Sequence, residues 1–193
     1  MDILLSVGTS ALTETARLFE DGLEWLRDTY GTHRFYTERD VVWTVQKWLA
    51  IECAARGMNV RVYNDYGIEP GPRRALSADI ALVQPGETPA FVAEFKYEPS
   101  HRREDLLRVK LPVVGWTAVL LDVERIRRWW ADGRIQQGIA VLVDEGRFFR
   151  SNAPAPGAAW VDWGRYGAGD LDVSIQISCV GTREVTEDAG VER

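Results

Sequence analysis

A chain of 193 residues, 46% hydrophobic and 27% charged, is sized for one domain with a real core. Its net charge of −6 argues against a broadly basic nucleic-acid coat, although a carboxylate site and an acidic tail both add negative charge. No apolar run reaches the roughly 18–20 residues of a membrane span, and MDILLSVGTS carries Asp2 where a signal peptide wants positive charge, so a cytoplasmic protein is expected.

In chain order, residues 10–30 read as a first helix, with Leu12, Ala16, Phe19, Leu23 and Leu26 at helical spacing and Gly31 as a stop. A second helix is predicted over residues 38–56, capped by Thr37 with Asp40 three residues on and closed by Gly57. Its stripe is Val41, Val42, Val45, Trp48, Leu49 and Cys53, and Glu38 projects near the middle of it. A first-turn Glu also complements the helix dipole, which is the plainer reading of Glu38 taken alone. Trp43 and Trp48 are expected to pack against the core. Glu52 lies at the far end of the helix and reads as structural.

Three strands follow, over residues 60–66, 78–83 and 90–97, separated by a loop at 70–74 and a turn at 84–87. Tyr63, Asn64, Asp65 and Tyr66 end the first of them, either orienting a substrate or forming a turn. The segment 99–110 is basic and gives no clear element. Asp122 reads as the N-cap of a third helix, VERIRRWWADG, and residues 139–143 as a fourth strand turning at Asp144-Glu145-Gly146-Arg147. Residues 153–157 form a loop, and DVSIQISCV at 172–180 alternates as a last strand. Trp129 and Trp130 belong to the third helix. Trp160 and Trp163, although also read as packing, are the best candidates for stacking on bases. The pattern is an α/β domain with a central mixed sheet flanked by helices. Residues 1–182 are expected to form it, with a core of about 37–150, and 183–193 a flexible acidic tail.

Histidine and cysteine chemistry is nearly excluded. His33 and His101 are the only histidines; Cys53 and Cys179 show no CxxC spacing and read as reduced core residues. There is no GxxxxGK[ST] loop, and the glycines of GRYGAG at 164–169 precede no amphipathic helix and read as a loop. Chemistry must rest on carboxylates, Lys and Arg.

Those residues converge in SADIALV and AEFKYE. Asp79 enters one predicted strand and Glu94 lies on the next, where a short turn can set them side by side. Glu94 and Lys96 are two apart and share a strand face, with Phe95 on the other. Two carboxylates and an ammonium on one patch of sheet repel and resist burial unless something compensates. A divalent cation does so: Mg²⁺, or Mn²⁺ in its place, prefers hard oxygens, which Asp79, Glu94 and the Phe95 carbonyl supply, with Glu38 approaching from its helix. Lys96 is then placed to stabilise charge on a phosphate or orient water.

Asp79, Glu94-Phe95-Lys96 and the helix Glu38 resemble the site of the PD-(D/E)xK nucleases, the restriction-endonuclease-like superfamily. Ala78 stands where the name has Pro, a variable position in that superfamily. The segments YTERDVVWTVQKWL and RRALSADIALV also look like uncharacterised bacterial proteins of that superfamily. The resemblance implies a metal-dependent phosphodiesterase with nucleic acid, in most of the superfamily DNA, as substrate. Arg73 and Arg74 before the Asp strand, and His101, Arg102, Arg103, Arg108 and Lys110 after the ExK strand, would grip phosphates; the alternative is solvated loops. A homodimer or a targeting partner would suit so short a chain. The competing function is an inactive domain of the same fold serving as a nucleic-acid-binding or protein-interaction module. A carboxylate-pair glycosidase ranks below both, because it leaves Lys96 unexplained.

Overall fold

The structure is a computed structural model that describes residues 13–71, 75–86, 88–106, 111–167 and 171–181. The expected tail, Arg73, Arg74, Arg108 and Lys110 lie outside these residues. Two helices, α1 (Glu14–Thr29) and α2 (Glu38–Ala55), precede strands β1 (Arg61–Glu69), β2 (Leu76–Val83) and β3 (Phe91–Glu98). A 3-10 turn at Glu104–Leu106 leads towards α3 (Trp116–Ala131), and β4 (Gln137–Glu145), β5 (Ala158–Tyr166) and β6 (Leu171–Val180) complete the chain. The six strands form one mixed sheet in the order β1-β2-β3-β4-β6-β5, in which only β3 and β4 run parallel. Among the described residues no helix is long and apolar enough to cross a membrane.

The sheet is covered on both faces, which is why its central strands read as near-continuous apolar runs. On one side Phe91, Ala93, Phe95 and Tyr97 of β3 pack with Leu18, Phe19 and Leu23 of α1 and Val42, Val45 and Leu49 of α2. On the other, Val92 and Ala140 meet Val123, Ile126 and Trp129 of α3. Helix α2 begins where its sequence says it should: Thr37 and Asp40 exchange side-chain and backbone hydrogen bonds as a capping box.

Four expectations need correction. Helix α3 starts at Trp116, six residues before Asp122, with Gly115 as its cap; Asp122 is a buried interior residue. Its buried set, Val119, Asp122, Val123, Ile126 and Trp129, is one helical stripe, and packing of that stripe outweighs the capping preference of Asp. Residues 158–166, partly read as loop, form strand β5. Its alternation is interrupted by a register shift between Asp162 and Gly164, where Gly164 takes φ 105°. Strand β4 continues through Asp144 and Glu145, and the turn falls at Gly146 and Arg147. Trp43 is 51% exposed, with Arg39 stacked on its ring, whereas Trp48 does pack, against Trp25.

One irregularity of the sheet positions everything that follows. Strands β2 and β3 pair over only three residues, Ile80↔Ala93 to Leu82↔Phe91. Beyond that point β2 follows β1, down to Tyr66↔Ala78 and Gly67↔Ser77, while β3 follows β4 as far as Glu98↔Asp144. The sheet therefore forks between β2 and β3.

Candidate active site at the sheet fork

Asp79 stands one residue past the last β2–β3 pair, so continuing that register sets it opposite Glu94. Its Oδ2 accepts the Phe95 N–H at 2.7 Å, doing for β3 what a strand carbonyl does elsewhere in the ladder. The Phe95 carbonyl accepts from Lys96 Nζ at 2.8 Å. Both backbone groups of Phe95 are thus satisfied by side chains of the predicted site.

Lys96 is the hub. Its Nζ lies 3.3 Å from Glu38 Oε2, at the first residue of α2, and 2.9 Å from Asp122 Oδ2, on α3. Asp122 in turn meets Arg125 Nη2 at 2.9 Å, and Arg125 Nη1 reaches Glu94 Oε1 at 2.8 Å. Glu38, Asp79, Glu94 and Lys96, named from sequence, are therefore brought together. The sequence reading missed Asp122 and Arg125. The missing signal was the one used for Glu38, a carboxylate within an apolar helical stripe, and it was hidden by starting α3 at Asp122.

The cluster is strongly perturbed. Burial raises the carboxyl of Glu94, and repulsion from Asp79 and Asp122 adds to it, up to about 9; Arg125 and Lys96 only partly offset this. Asp79 is also raised, by burial against the opposing Phe95 N–H and the Lys96 charge. Glu38 rises for the same first reason, with Lys96 opposing. Lys96 is raised: its own burial works against the charge, but Asp122 and Glu38 outweigh it. With all four carboxyls ionised around two cations the cluster would be short of positive charge, and the raised Glu94 carboxyl meets that shortfall with a proton.

That shortfall and the hard oxygens of Asp79 and Glu94 suit a divalent ion of the Mg²⁺ kind. In the arrangement seen, Glu38, Glu94 and Asp122 turn to Lys96 and Arg125, and among the described residues no three His, Cys, Asp or Glu side chains are grouped to hold a metal ion. The donor set nonetheless fits one that takes one or two carboxylates and keeps several waters.

The proposed phosphate grips divide. Arg103 is turned inward, its side chain 7% exposed, donating to Asp105, Glu145, the Phe35 carbonyl and the Tyr97 hydroxyl, so it serves the fold and not a ligand surface. His101 Nε2 lies 2.7 Å from buried Glu98 Oε1, and its ring packs on Phe148. Arg102 is exposed. Trp163 is buried edge-on to Tyr30, and Trp160 donates to the Asn152 carbonyl and stacks on Trp116, so both pack as the plainer reading expected. Tyr63 to Tyr66 lie mid-strand in β1, which runs on to Glu69. Glu52 pairs with Arg56 at 3.3 Å, and both cysteines are free thiols.

Neither a family model, nor a curated protein, nor a solved structure matches this chain.

Proposed function

We propose that the chain is a divalent-metal-dependent nuclease of the PD-(D/E)xK, restriction-endonuclease-like superfamily, hydrolysing phosphodiester bonds of nucleic acid, with DNA as the preferred substrate. The observation that carries this reading is the fork: Asp79 opposite Glu94, with Lys96 two residues on and held at 3.3 Å by Glu38. A merely solvated charged face does not bury its carboxylates or raise them by mutual repulsion.

Hydrolysis adds a water oxygen to phosphorus and breaks the bond to the leaving oxygen, which takes up a proton. Asp79, Glu94 and the Phe95 carbonyl are the residues that would hold Mg²⁺ or Mn²⁺, with Glu38 at the edge of the set. Bound there, the ion supplies charge neutralisation at the phosphate and a more acidic water. Lys96 presents an ammonium fixed between Glu38 and Asp122, which stabilises charge growing on phosphate oxygens and orients the attacking water. Asp122 and Glu38 fix Lys96 in one place, so little reorganisation is left for the moment of reaction.

The test is cleavage of plasmid, single-stranded DNA and RNA by wild type, Asp79→Ala and Lys96→Ala, with Mg²⁺, with Mn²⁺ and with chelator. Metal-dependent cutting should fall by about 10²-fold or more in both variants. Tight binding without cleavage under every condition would replace the enzyme with a binding module.

A further inference from the structure

Arg125 was not part of the sequence-derived site, and its position gives it a task there. Its guanidinium spans two carboxylates, Glu94 at 2.8 Å and Asp122 at 2.9 Å. The exposures are unequal: the Glu94 and Asp122 side chains are 3% and 4% exposed, and Arg125 is 29% exposed. Arg125 is the most solvent-exposed member of this trio and is paired to both buried acids, so an ion that takes Glu94 has to share it with a guanidinium already in place.

Charge points the same way. Glu38, Asp79, Glu94 and Asp122 carry four negative charges when ionised and Lys96 and Arg125 two positive ones, which leaves the charge of one divalent ion to be supplied. The pairing is also incomplete in detail. Asp122 Oδ2 is buried and lies 2.9 Å from Lys96 Nζ in ionic contact without the alignment of a hydrogen bond. Gln176 Nε2, on the small cavity that Lys96 and Asp122 also line, is buried with no hydrogen-bond partner among the described residues. Arg125 itself has a second perch. It sits over the ring of Trp129, one turn along α3, 5.8 Å from its centroid.

We infer that Arg125 is a resident cation that competes with the divalent ion for Glu94 and, once displaced, binds a phosphate of the substrate. The inference rests on the nuclease reading and adds a residue to it. A guanidinium suits both states, because its planar fork matches carboxylate and phosphate alike. Bringing an ion to Glu94 means breaking the Arg125 pair or placing two positive charges a few ångströms apart, and either weakens ion binding.

Calorimetric titration of Mn²⁺ into wild type, Arg125→Ala and Arg125→Lys reads the competition without any turnover. Arg125→Ala should bind Mn²⁺ about tenfold more tightly, and Arg125→Lys, which keeps the charge, should stay near wild type. Steady-state cleavage of a short DNA duplex should show the opposite sign for Arg125→Ala, with KM raised about tenfold and kcat within about threefold. Loss of a merely structural residue would weaken ion binding as well as cleavage. Mn²⁺ binding by wild type with equal or weaker binding by Arg125→Ala overturns the inference and leaves the nuclease reading standing. Absence of Mn²⁺ binding by wild type overturns both.

Discussion

The Glu94 carboxyl, raised from an ordinary 4.5 to about 9 by burial and by Asp79 and Asp122, ties the site to stability through pH. A folded state that holds a proton the unfolded state has lost is stabilised less as pH rises between those two values. The ion-free protein should therefore lose stability from about pH 4.5 to about 9, with Asp144, raised to about 6, adding in the lower part of that window. Glu94→Gln, which is neutral throughout, should flatten the slope above pH 6 in denaturant unfolding followed as a function of pH. An unchanged slope would mean that Glu94 is ionised in the folded state and compensated by Arg125. Single residues were also the most legible level of the sequence. Asp79, Glu94 and Lys96 stood out because a charge in an apolar strand needs a reason. Arg125 did not, because an Arg in a helix with basic neighbours looks like a solvated face.

At the scale of elements, α2 and α3 act as holders, each presenting one carboxylate to Lys96 from a different layer. The holding at α2 depends on its first turn, where the Thr37–Asp40 capping box spans Glu38 and fixes its backbone. Thr37→Ala should cost about 1 kcal/mol of stability in chemical denaturation. It should also lower cleavage by more than the small unfolded fraction explains, because Glu38 loses its fixed start. Equal cleavage per folded molecule would show that Glu38 is placed by Lys96 alone. Element boundaries were legible where a local signal marked them: the capping box of α2, and the apolar strands β2 and β3; β4 was recognised as a strand but not where it ends. Helix α3 and strand β5 were not. The stripe that continues across Asp122 is present in the sequence but is hidden once Asp122 is taken as a cap, and the alternation of β5 resumes only after a bulge that its partner β6 defines. The second signal is tertiary, and local propensity was overridden in each case.

In the whole molecule, the decisive feature is one the sequence did not contain in local form. The forked pairing of β2 and β3 depends on which neighbour each strand keeps, and it opens the place where charged groups can be gathered beside the core without breaking it. A bound ion should therefore stabilise the fold that builds the site. At about 100 times its dissociation constant, Mn²⁺ should add about 2.7 kcal/mol, which for a chain of this size is a rise in Tm of roughly 5–10 °C. Asp79→Ala should show no such rise in a thermal scan with and without chelator. The most direct test of the central claim is single-turnover cleavage of an end-labelled DNA duplex by wild type and Lys96→Ala in Mg²⁺, each repeated in chelator. Cutting by wild type alone, abolished by chelator and reduced about 10²-fold or more by Lys96→Ala, is the predicted result; cutting that survives chelation or the loss of Lys96 would contradict it.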